Sequence, residues 1–296
     1  MDCNKFVVMS LGRSGSSAIQ DTLRRLTGVE PHTWHRSRSS DQSGLISPGD
    51  EILGSGDKAD MDAFAGAKCQ NRSAILYTVK NFFHRYCEGS NAASFKLKPY
   101  FEMMPGKNAS LGITEPWQEL FRWMKSAHVR VIWSSRNPLD VIMSSAKHAM
   151  SHVSAHCKDH ACVAKAEEAD SHVTLDVEST MVHLRKEYDG KRDTQIRVTL
   201  DRIQIPYFKA TYEDFFCGPH ASRLKAWKSA VRFTNPNLNE SYVDKLTMKT
   251  VTNDEGGILA THTSTQADGA ANFAEIEAAI RKDGRFIQYL RDCDSQ

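Results

Sequence analysis

Apolar positions first gather at Phe6-Val7-Val8-Met9, a short continuous run that predicts a buried strand. A small-residue stretch follows from Gly12 to Ser17. Beyond it Ile19, Leu23 and Leu26 recur at helical spacing, and Gly28 supplies a stop. The chain therefore opens strand, glycine turn, helix. From Arg36 to Arg72 the pattern lapses into Ser, Gly and Asp, which predicts a long loop, in the manner of a lid.

Periodicity then returns. Ala74 to Val79 predicts a second strand and Ser94 to Leu97 a third, short one. Glu115 to Lys125 suits a helix, with Pro116 in its first turn. Val129 to Trp133 is the clearest later strand. The helix after it has a readable start, with Asn137 as N-cap, Pro138 first and Asp140 in the opening turn. Helices are expected over 175–188 and 194–203, a strand over 207–211, and mostly helix beyond, with a Gly- and Thr-rich break from Thr252 to Gly269. Strands alternating with helices predict an α/β fold with a mainly parallel central sheet flanked by helices. No repeat or linker divides the chain, so residues 1–296 read as one domain with loop insertions at 36–72 and 151–172.

Composition narrows the partners. Lys plus Arg number 38 and Asp plus Glu 36, a formal charge of +2, so nothing in the overall field favours nucleic acid. An anion must be held by a local site. No apolar run approaches the roughly 20 residues of a membrane span. The start, Met1 to Lys5, lacks the layout of a signal peptide, so the expected compartment is the cytoplasm. The seven cysteines form no dense framework and suit reduced thiols, with a Cys157–Cys162 bridge as the alternative.

Chemistry concentrates in two places. Gly12-Arg13-Ser14-Gly15-Ser16-Ser17 lies between a strand and a helix. Small residues let backbone N–H groups wrap an anion, and the helix N-terminus adds partial positive charge. Arg13 offers a fork of donors, and Ser16 and Ser17 offer hydroxyls. The plainer reading is a tight turn with a capped helix. The stretch is not a phosphate loop of the G-x-x-x-x-G-K-[ST] type, because no lysine precedes Ser16. It suits a phosphate or sulfate ester handled without a dedicated metal. The second place is Arg136 to Ser144. Arg136 closes a strand, where open α/β sheets bind ligands. Ser144 lies two turns along the next helix, able to share a second phosphate with it. A surface arginine and a packing serine are the alternative.

Taken together, the two stretches resemble the sulfotransferases that use 3′-phosphoadenosine-5′-phosphosulfate (PAPS). Their 5′-phosphosulfate loop is matched by Gly12 to Ser17, with glycine for the usual proline. Their 3′-phosphate motif is matched by Arg136 and Ser144, with the typical Asn137-Pro138-Leu139-Asp140 between. Tyr212-Glu213-Asp214 and the Phe95-Lys96 strand are similar too, as is Ala271 to Ile276 to the closing helix of the bacterial and algal branches. The resemblance implies a P-loop NTPase-like sulfotransferase fold. It also implies sulfuryl transfer to a hydroxyl or amine of a small-molecule acceptor, with PAP as product and no metal required. Tyr212 would border the adenosine. The Arg-Lys-Gly that many such enzymes carry near the C-terminus is missing; Thr261 to Gly269 is the segment that could replace it.

The general base stays open among His32, His35 and Glu30, which follow the first helix. Histidine leads because its ordinary pKa lies near neutrality; for each, a surface loop side chain is the plainer reading. Lys96 is a further candidate at the reacting centre, against a solvated strand-end lysine. His148, His152, His156 and His160 recur every fourth residue near Cys157 and Cys162. They form either a polar helix face or a zinc stripe. Rival functions are a P-loop small-molecule kinase and a non-catalytic PAP- or nucleotide-binding protein.

Overall fold

The computed structural model describes residues 3–10, 15–27, 51–53, 92–98, 115–151, 173–190, 192–251 and 265–291, together with Leu76, Val79, Lys80, Phe83, His84, Cys87, Ala161 and Glu168. Five strands form one sheet: β1 (Asn4–Ser10), β2 (Glu51–Leu53), β3 (Ala92–Lys98), β4 (Arg130–Ser135) and β5 (Tyr207–Thr211), in the order β2-β3-β1-β4-β5. Every pairing is parallel. The helices are α1 (Ser16–Leu26), α2 (Glu115–Ser126), α3 (Pro138–Ser151), α4 (Val177–Gly190), α5 (Arg192–Ile203), α6 (Tyr212–Phe216), α7 (His220–Thr234), α8 (Glu240–Val251) and α9 (Phe273–Asp283). The α/β expectation and the parallel sheet therefore hold.

Alternation along the strands divides the core between two faces. Val7, Met9, Phe95, Leu97, Val131 and Trp133 face one way, against residues of α2 and α5. Phe6, Val8, Ala92, Ile132 and Ala210 face the other, against α1, α6, α7 and Val243 of α8. With both faces covered, β1 and β4 read as unbroken apolar runs, as central parallel strands do. A third apolar cluster joins α3, α4, α9 and Phe286.

Three expectations are corrected. The strand expected at Ala74 to Val79 is corrected at its described residues: Leu76 and Val79 are helical, as are Lys80, Phe83, His84 and Cys87 beyond them. Val79 and Phe83 are buried while Lys80 and His84 are exposed, a helical division of faces that a short apolar run hides. Phe83 packs against Phe95 and Trp123, so tertiary contact outweighs local β preference. The expected loop over 36–72 contains β2, which extends the sheet by pairing with β3. The thiols are not all reduced. Cys3 and Cys87 form a disulfide with Cα atoms 5.4 Å apart, across a sequence separation of 84. Cys217 is disulfide-bonded as well. Cys157 and Cys162 lie outside the described residues. No helix among the described residues is long and apolar enough to cross a membrane.

Candidate functional site

Strand order fixes where two loops must meet. The chain places β2 and β3 on one side of β1, then crosses to place β4 and β5 on the other. Such a reversal opens a crevice at the carboxyl ends of the strands, the usual ligand site of open α/β sheets. Ser10 of β1 is the register partner of Ser134 of β4. The segments leaving those two strands, one leading to Gly15 and α1, the other to Arg136 and α3, thus start side by side.

Gly15 caps α1: its carbonyl accepts the first helical bond, from the Ile19 N–H at 2.9 Å. Its φ of +72° is a left-handed conformation suited to glycine. A Cβ there would lie 2.6 Å from Cδ2 and 2.9 Å from Cε2 of Tyr212. Ser16 is buried in the first turn, and Ser17 is helical after it. Gly12, Arg13 and Ser14 lie outside the described residues.

The Arg136 side chain is 7% exposed, and its Nε stands 3.9 Å from Oδ2 of Asp140. Asn137 begins α3 as expected, with its Oδ1 accepting from the Leu139 N–H at 3.0 Å. Its Nδ2 donates to the Tyr289 carbonyl at 2.7 Å, and its own N–H donates to Oε1 of Glu213 at 2.9 Å. Gln266 completes this node. Its Nε2 donates to Oδ1 of Asp140 at 2.8 Å and to the same Tyr289 carbonyl at 2.9 Å. The cap on Arg136's neighbour is thereby locked to the C-terminal segment.

Tyr212 joins the two stretches. It begins α6 directly after β5, where Thr211 caps the helix by accepting from the Asp214 N–H at 3.2 Å. Its ring is 4.7 Å from that of Phe216, and the Arg136 guanidinium sits 4.1 Å from its centroid. One buried ring therefore lies against Gly15 and Arg136 together. Burial raises the Tyr212 pKa, Arg136 opposes that rise, and Asp140 and Glu213 add to it. The phenol is neutral at physiological pH.

Ser144 and Lys147 are buried on α3. Lys96 is 4% exposed, so it is not the solvated strand-end lysine of the plainer reading. Its register partner is Val8, and it lies on the sheet face that carries α1. His32, His35 and Glu30 lie outside the described residues, as do His152, His156 and His160; His148 is within α3.

The structure thus brings together Gly15, Arg136 and Tyr212 through direct contact. Sequence reasoning missed Gln266, the Glu213 carboxylate as acceptor for the Asn137 N–H, and the Tyr289 carbonyl. Only the Asn137 cap had a local signal. The partners of that cap come from 76 and 152 residues away. No protein-family model matches the chain, and no curated protein or solved structure matches it either.

Proposed function

We propose that the chain is a PAPS-dependent sulfotransferase with a P-loop NTPase-like core. The observation that carries this reading is the contact of the Tyr212 ring with both Gly15 and Arg136. Two candidate anion-binding stretches that meet on one buried aromatic suit a nucleotide with phosphate at each end of its ribose. The parallel order β2-β3-β1-β4-β5, with both stretches at the crossover, supports the same reading.

The residues divide the work. The 12–17 turn holds the 5′-phosphosulfate through backbone N–H groups, Arg13 and the serine hydroxyls. Arg136 and Ser144 hold the 3′-phosphate. Transfer forms a bond from the acceptor oxygen or nitrogen to sulfur and breaks the bond from sulfur to the 5′-phosphate oxygen. Arg13 and the turn's N–H groups stabilise the charge growing on that leaving oxygen. The acceptor's proton passes to a base, for which His32, His35 and Glu30 are the candidates. Lys96 is buried on the α1 side of the sheet and suits a charge-stabilising role at the reacting centre. The acceptor is a small molecule bearing a hydroxyl or amine.

Labelled PAPS offered with metabolite extracts tests the reaction, with the sulfated product identified. Transfer that consumes PAPS and survives a chelator is expected. ATP consumption dependent on Mg²⁺ would replace the reading with a kinase. PAP binding without any product would replace it with a non-catalytic binder.

A further inference from the structure

The turn between α7 and α8 lies at the amino ends of the strands, away from the candidate site. Asn4, the first residue of β1, donates from Nδ2 to Oδ1 of Asn235 at 2.9 Å. Arg130, which begins β4, donates from Nη1 to the Thr234 carbonyl at 3.1 Å. Beyond these anchors the turn is open. Asn237, Asn239, Glu240 and Ser241 are exposed, and Tyr242 is 45% exposed.

Asn239 caps α8. Its carbonyl accepts from the Val243 N–H at 3.0 Å. Its Oδ1 accepts from the Ser241 N–H at 2.9 Å and from the Ser241 hydroxyl at 2.7 Å. Every one of these bonds uses an oxygen. The amide nitrogen Nδ2 makes no hydrogen bond among the described residues. Asn239-Glu240-Ser241 is also an Asn-x-Ser tripeptide whose middle residue is not proline, the acceptor pattern for asparagine-linked glycans. A sugar on Nδ2 leaves Oδ1 an amide oxygen, so the cap and the first turn of α8 survive modification.

We infer that Asn239 is a modification site that carries an N-linked oligosaccharide, projecting from the strand ends opposite the candidate site. Transfer forms a bond from Nδ2 to the anomeric carbon of an oligosaccharide delivered on a lipid diphosphate. The bond from that carbon to the diphosphate oxygen breaks, the lipid diphosphate leaves, and Nδ2 gives up one proton. The chain must enter a compartment where such transfer takes place. The Cys3–Cys87 bridge points the same way, since disulfides form and persist in oxidising compartments. The inference does not depend on which nucleotide the candidate site binds.

The same tripeptide pattern occurs at Asn71 and Asn108, outside the described residues, so the test reads position 239 by itself. Protein isolated from its own cells is digested with trypsin. The peptide from Phe233 to Lys245 is followed by mass spectrometry, before and after a glycan-releasing amidase acts in heavy-oxygen water. The peptide should carry the mass of a glycan, and release should leave a labelled carboxyl group at position 239. Asn239→Gln and Ser241→Ala, returned to the same cells, should lose the modification. Ser241→Thr keeps the hydroxyl and should retain it. An unmodified peptide as the sole form overturns the inference, and so does a modification that persists in Ser241→Ala. The wild-type reading decides the question whether or not a variant folds.

Discussion

The guanidinium of Arg136 lies 4.1 Å from the centroid of the Tyr212 ring, and both groups are buried. A cation over an aromatic face is worth about 0.5–2 kcal/mol depending on desolvation. The contact limits where the guanidinium can swing, so under the proposed reading Tyr212 orients the Arg136 anion grip. Tyr212→Leu should weaken PAP binding by roughly 3- to 30-fold. Tyr212→Phe keeps the ring and should stay close to wild type. Calorimetry separates the two variants; equal losses would mean that the hydroxyl, not the ring, is what matters.

Arg136→Ala should weaken PAP far more than AMP, since only PAP offers the phosphate assigned to Arg136. Losing a charged hydrogen-bonding group costs about 1.5–3 kcal/mol, or roughly 10- to 150-fold. Parallel losses for both nucleotides would place Arg136 at the other phosphate.

Gly15→Ala combines a left-handed backbone with a Cβ 2.6 Å from the Tyr212 ring. The backbone alone costs about 1–2 kcal/mol, and the ring must also shift. Urea unfolding should show a loss of at least that size, and PAP affinity should fall with it. Wild-type stability in this variant would mean that the turn and the ring are not held together.

The Cys3–Cys87 bridge ties the start of β1 to a helical residue ahead of β3. Closing a loop of that length in the unfolded chain is worth roughly 2–5 kcal/mol. Cys3→Ala with Cys87→Ala should lower stability by about that amount, and peptide mapping without reductant should recover the linked pair. Free thiols at both positions in protein purified without reductant would refute the bridge.

Burial raises the pKa of Tyr212 above the ordinary 10.0 and that of Tyr289 likewise. The folded protein keeps protons that the unfolded chain releases, so this stabilisation is complete below the ordinary value. It is lost as pH climbs through the raised values. Unfolding free energy should therefore decline above about pH 10. The decline should be shallower in Tyr212→Phe, as urea titrations at several alkaline pH values would reveal. An identical decline in both would assign it to other groups.

The sequence by itself determined most of the sheet and the start of α3. Phe6 to Met9 and Val129 to Trp133 are uninterrupted apolar runs because central parallel strands are buried on both faces. Asn137-Pro138 announces α3 because capping and a fixed proline φ are properties of adjacent residues. Local rules failed where local chemistry was ambiguous. Ala74 to Val79 has strand composition, yet Leu76 and Val79 are helical, and Val79 and Phe83 pack into the same buried cluster. The three residues of β2 are too few to show a period and become a strand only by pairing with β3. The disulfide of Cys3 and the Gln266–Asp140–Asn137 node join positions far apart in the chain. Such contacts carry no periodic or adjacent signal, so only packing could bring them together. The same holds for the Tyr212 contacts: the Gly15 turn and Arg136 were each legible alone. Their meeting on one buried tyrosine follows from the register of β1, β4 and β5, which the tertiary structure alone decides.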